Sequence, residues 1–223
     1  MLCEQCGYAL DGLPASGACP ECGRAIARSR PESRPGSPWQ RRASWGALLG
    51  TWWGVLARRE ALWGGVSIEA RSAATLLLVT LALASATMAL STLAPTAAAH
   101  GARWWYPPIF FVISWFVLLA LTSIEFTGMR FFGRRRRWRT TPGVALVICA
   151  HASVGWLIGG MGVALGWIVG GNLPGLTGSG LLWMAVFAPF IGGMVVFSLL
   201  AGSGFHALRF VNDPAHRAAE DSL

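Results

Sequence analysis

Apolar positions gather into four long blocks along the chain, parted by short stretches that are polar or rich in glycine. The first covers 73–93, holds no charge between Arg71 and Pro95, and has the length of a helix that crosses a bilayer. The others cover 107–132, 143–171 and 181–202. At 29 residues the third block would measure ~43 Å as a straight helix, against a hydrocarbon core of ~30 Å. It must tilt, protrude or break, and Gly155, Gly159, Gly160 and Gly162 place the expected kink near 159–162. Ahead of the blocks the period changes. Trp45, Leu48, Leu49, Trp52, Trp53, Leu56 and Trp63 recur mostly in steps of three and four, behind a candidate N-cap at Ser44. The uninterrupted apolar part stops at Arg58-Arg59-Glu60, too early for a span. The stretch 44–64 therefore reads as an amphipathic helix in the headgroup plane, with packing on the cytosolic face of a bundle as the rival.

Composition agrees with this pattern. The chain is 54% hydrophobic and 13% charged, where a soluble domain carries roughly 25% charged residues. All 18 basic residues are arginine and the net charge is +8. The densest run, Arg134, Arg135, Arg136, Arg137 and Arg139, lies between the second and third blocks. Arginines flanking spans stay on the side of insertion. Arg58, Arg59, Arg71, the run, Arg209 and Arg217 fall on one set of span ends, and only Arg103 on the other. The expected orientation puts both termini in the cytoplasm, in the inner cell membrane. The basic charge then serves topology and anionic lipid headgroups rather than nucleic acid. Trp104-Trp105-Tyr106 would anchor the outer interface. Residues 27–43, with five arginines and Pro31, Pro35, Gly36 and Pro38, read as a flexible basic linker, and 206–223 as a frayed cytosolic tail.

Four of five cysteines lie in the first 22 residues, as Cys3-x2-Cys6-Gly7 and Cys19-x2-Cys22-Gly23. Each pair can put two thiolates on one tight turn, and two such turns make a closed tetrahedral site. A segment of 26 residues cannot bury a sufficient core alone, so a bound metal must supply most of its folding free energy. Tyr8, Leu10, Leu13 and Ile26 are the expected apolar cover. The pattern resembles the zinc ribbons, which implies one structural zinc and a small fold that contacts proteins or nucleic acids. A rubredoxin-like iron site and disulfides are the competitors. The acids Glu4, Asp11 and Glu21 argue against phosphate contact and leave two readings of the ribbon, contact with a cytosolic protein or an inert small fold.

Within the spans, Glu125 and His151 would sit at similar depth in a hairpin and could satisfy each other. Alternatively, Glu125 snorkels towards arginine and His151 bonds a nearby carbonyl. Gly162, Gly166 and Gly170 form a row of small residues for helix packing, inside the bundle or between two copies of the chain. Cys149 reads as a core residue, and no HExxH, GxSxG or phosphate-binding glycine loop occurs. The layout of an interfacial helix and paired hairpins, with a third span reading His151-Ala152-Ser153-Val154-Gly155-Trp156-Leu157, resembles the Yip family of multi-pass proteins over 45–205. That resemblance implies membrane organisation rather than chemistry, although the family has five spans. The expectation is an all-α membrane protein: a four-helix transmembrane bundle over 70–205, an interfacial helix at 44–64 and a zinc ribbon at 1–26. It would act as a non-enzymatic scaffold or adaptor, with a small transporter or channel using Glu125 and His151 as the alternative.

Overall fold

Long apolar runs satisfy their backbone away from water by coiling into helices, and the computed structural model follows this rule, describing residues 1–93, 105–172 and 180–214. Two 3-10 turns, Ile26–Ser29 and Pro31–Ser33, lead to α1 (Pro38–Arg41), α2 (Trp45–Ala57) and α3 (Arg59–Gly65). The long helices follow: α4 (Ala70–Leu90, extended by a 3-10 turn to Leu93), α5 (Tyr106–Arg135), α6 (Pro142–Ala152), α7 (Val154–Asn172) and α8 (Gly180–Ala207). Four stretches are long and apolar enough to cross a membrane: Ala70–Leu93, Tyr106–Arg135, Pro142–Val169 and Val186–Ala207. They match the four expected blocks to within a few residues. The expected outer loop up to Trp104, the turn at 173–179, Arg103 and Arg217 lie outside the described residues.

The chain divides into two compact units. The first is Met1–Leu76, Phe126–His151 and Ala201–Leu223, and the second is Leu77–Glu125 and Ala152–Leu200. Charge divides the same way. Among the described residues every arginine belongs to the first unit, and Glu125 is the one charged side chain of the second.

In the second unit α7 runs without interruption from Val154 to Asn172. The break falls earlier, at Ser153, where Trp156 N–H bonds the Ser153 carbonyl at 2.9 Å and an i+3 turn separates α6 from α7. Helix continues through 159–162, where the kink was expected, and the glycines there allow close approach. A Cβ on Gly159 would lie 3.1 Å from Gly193 Cα, one on Gly155 would lie 2.4 Å from Phe197 N, and one on Gly160 would lie 2.8 Å from the Ala84 carbonyl oxygen. A Cβ on Gly162 would lie 2.5 Å from Pro189 Cβ. The tight seam therefore begins a turn or two before the expected row of Gly162, Gly166 and Gly170; the surroundings of Gly170 lie outside the described residues. Trp156 completes the unit, stacked on Phe197 at 4.8 Å with its indole N–H donating to Thr122 Oγ1 at 3.1 Å.

In the first unit the stretch expected as a flexible linker is folded. Ser37 caps α1 in a capping box with Gln40, whose amide also bonds the Ser67 N–H (3.1 Å) and the Ser67 carbonyl (2.7 Å). Proline rules out a long helix there, as expected, yet it suits the first turn of a short one, and Pro38 stands there. Ser44 caps α2 through the Ala47 N–H. The stretch 44–64 is two helices, turned at Arg58, with Gly54 set against the Leu62 side chain. The tail is corrected likewise: Leu208, Val211, Asn212 and Asp213 are buried, so at least 208–213 is docked.

Candidate metal centre

The two CxxC turns fold by the same local rule. Cys3 N–H bonds the Tyr8 carbonyl and Gly7 N–H bonds the Cys3 carbonyl, both at 2.8 Å. Cys19 N–H bonds the Arg24 carbonyl at 2.8 Å and Gly23 N–H bonds the Cys19 carbonyl at 2.9 Å. Closing each turn needs a positive φ at its fifth residue, and Gly7 (81°) and Gly23 (73°) supply it without steric cost. Isolated bridges Leu2–Ala9 and Ala18–Ala25 hold each turn as a small hairpin.

These turns bring Cys3, Cys6, Cys19 and Cys22 together, with the sulfurs all within 4.8 Å of one another. The cross pairs Cys3–Cys22 and Cys6–Cys19 stand at 3.5 and 3.6 Å. A tetrahedron with metal–sulfur bonds of ~2.3 Å has an edge of ~3.8 Å, so the cluster has the dimensions of a four-thiolate site. All five cysteines are free thiols, so the disulfide alternative is not realised. The four sulfurs affect one another electrostatically. At Cys3, burial pushes the thiol up, but the backbone amides of Cys6 and Gln5 outweigh it and bring it down to about 6. At Cys6, the Tyr8 amide favours the thiolate, but burial and the neighbouring sulfurs push it up to about 12. Cys22 is also raised: its Arg24 amide is outweighed by burial and the nearby sulfurs of Cys3 and Cys19. One thiolate forms readily and the next are opposed by it, which is the situation a divalent cation at the centre relieves. Leu10 and Ile26 pack with Cys3 and Cys19 in a buried cluster, with Leu13 partly covering it, whereas Tyr8 is 40% exposed and is not part of the cover.

Glu4 stands inside the first turn. It is buried, and Arg34 grips both its carboxylate oxygens at 2.8 and 3.3 Å. Asn212 N–H donates to the same carboxylate at 3.3 Å. The Asn212 side chain pairs with the backbone of Leu2, accepting from its N–H at 3.0 Å and donating to its carbonyl at 2.8 Å, and donates again to the Ser29 carbonyl at 2.8 Å. Phe210 lies over Gly7. Arg34 also donates to the Trp63 and Val66 carbonyls at 3.1 and 3.0 Å, closing the C-terminal end of α3. The first CxxC turn is therefore clamped within its unit by Arg34 and by residues 210–212. The apolar Leu208, Phe210 and Val211 were the available hint that the tail docks.

His151 lies fully buried in the same unit. Its Nδ1 is 2.8 Å from the Val147 carbonyl, which can only accept, so Nδ1 carries the proton and Nε2 accepts the Ser37 hydroxyl at 3.0 Å. Trp63 meets the ring edge-on at 5.9 Å and donates its own N–H to Ser203 Oγ at 3.1 Å. Both imidazole nitrogens are thus taken, one by a carbonyl as the second reading of this residue held. Glu125 is half-exposed on α5 and has no hydrogen-bond or ion-pair partner among the described residues. Cys149 is buried in α6. Of the arginine run, Arg134 and Arg135 end α5, and Arg134, Arg135, Arg136 and Arg137 are exposed, while Arg139 is half-buried with its N–H on the Arg209 carbonyl.

Compared with protein families, with curated proteins and with solved structures, the chain matches none. The resemblance to the Yip family gains no support from them.

Proposed function

We propose that the chain is a non-enzymatic scaffold or adaptor of the inner cell membrane, crossing it four times with both termini in the cytoplasm and holding one structural zinc. The observation that carries this reading is the clamp on the first CxxC turn: Glu4, Arg34 and Asn212 fix the metal head into the unit that carries the arginines. A closed four-thiolate site leaves the metal no open position for substrate, so its work is to hold shape. With the first turn occupied, the exposed second turn, Pro20-Glu21, is the face left for a cytosolic protein. That every arginine among the described residues lies in the first unit supports the orientation, because guanidinium groups resist translocation.

Crosslinking in intact membranes tests the adaptor reading. The partner set of the wild-type chain should be lost in Cys3→Ser/Cys6→Ser and weakened in Glu21→Arg. An unchanged partner set in both variants would contradict it. Transport through Glu125 and His151 gains no favouring observation, since the His151 ring is already fully bonded.

A further inference from the structure

Helix α2 presents two apolar faces, and only one of them is covered by protein. Leu48, Thr51 and Val55 are buried in the first unit. About a third of a turn round the helix, Trp45 (71% exposed), Leu49 (62%), Trp53 (64%) and Leu56 (43%) form an uncovered stripe at i, i+4, i+8 and i+11. Both tryptophans of this stripe therefore point away from the core that their spacing would normally serve. A soluble surface does not carry such a stripe without a partner.

Three observations fix what covers it. Arg41 and Arg42 lie just before the helix, Arg58 and Arg59 just after it, and all four are exposed; Glu60 is the one acid beside them. Only Val66 to Glu69 separate α3 from α4, the first helix long and apolar enough to cross a membrane, so α2 cannot stand far from the bilayer surface. Tryptophan is the side chain that favours the junction of headgroups and acyl chains. We propose that α2 is an in-plane lipid anchor: the Trp45–Leu49–Trp53–Leu56 stripe inserts among the acyl chains of anionic lipids, while the arginines at its two ends hold their headgroups. The buried face, through Leu48 and Val55, keeps the first unit seated on the helix, so the membrane surface and the metal head are joined through one rigid element.

The full-length protein is reconstituted in vesicles of phosphatidylcholine, with or without phosphatidylglycerol, with photoreactive benzoylphenylalanine replacing Leu49. Light should give lipid adducts as the main product, several-fold more with phosphatidylglycerol present. In the Arg41→Gln/Arg42→Gln/Arg58→Gln/Arg59→Gln variant that gain should vanish, while the yield in phosphatidylcholine alone stays as before. Adducts to a second copy of the chain would overturn the proposal in favour of a dimer seam. Absence of any adduct would overturn it in favour of a stripe facing water. Equal yields with and without phosphatidylglycerol would remove the arginines' part.

Discussion

Single residues show where charge and sulfur were legible and where they were not. The cysteine ligands could be read because their chemistry lies in local spacing: each CxxC turn closes on itself within six residues. The partners of Glu4 stand 30 and 208 residues away, and nothing local marks a carboxylate for burial at such distances. Burying an ion pair costs desolvation that the pair itself must offset, and removing one partner leaves the other charge stranded. Glu4→Gln should therefore lower stability by ~3–5 kcal/mol, and Arg34→Met alone by a similar amount, whereas Glu4→Gln/Arg34→Met should cost much less than the sum. Thermal unfolding of the four proteins in detergent measures this, and additive losses would show that the pair is not coupled. His151 makes a smaller claim. Ser37→Ala leaves its Nε2 without a donor and should cost ~1–3 kcal/mol in the same assay.

Among the elements, the four helices long and apolar enough to cross a membrane were read to within a few residues, because a long apolar run allows so few alternatives. The use of glycine in them was not. Sequence alone marks a glycine as a point of weakness or of close approach, and the choice depends on what the neighbouring helix presents. Here α8 brings Gly193 and Phe197 against Gly159 and Gly155, so the helix stays whole and the break falls at Ser153 instead. Adjacent glycines give an internal control. A Cβ on Gly193 would meet Gly159 Cα at 2.5 Å, whereas one on Gly192 meets nothing within 4 Å. Gly193→Ala should destabilise by ~1–3 kcal/mol through overpacking, and Gly192→Ala should be neutral or stabilising by up to ~1 kcal/mol. Equal effects on the unfolding temperature would mean that the two helices do not meet there. Helix α2 repeats the lesson. One apolar stripe in sequence became two faces with different covers, because a list of apolar positions does not say which neighbour each one meets.

At the scale of the molecule, four helices long and apolar enough to cross a membrane and a four-cysteine head followed from pattern and composition, while the attachment of the head did not. Proline and arginine between 27 and 43 suggested a loose tether, yet the short α1, its capping box and the buried Arg34 make it part of the first unit. A metal held by the four cysteines, worth ~10–16 kcal/mol of folding free energy in isolated zinc peptides, would then stabilise a unit far larger than the head. The most direct test is amide hydrogen exchange of the full-length protein in lipid nanodiscs, before and after the metal is stripped by a chelator. Removal of the metal should speed exchange across Leu208–Asp213 by about tenfold or more, although this segment is distant from the cysteines in sequence, and should leave Gly155–Gly162 as protected as before. Undiminished protection of Leu208–Asp213 in the metal-free protein would contradict the clamp, and with it the account of the head as an integral part of its unit.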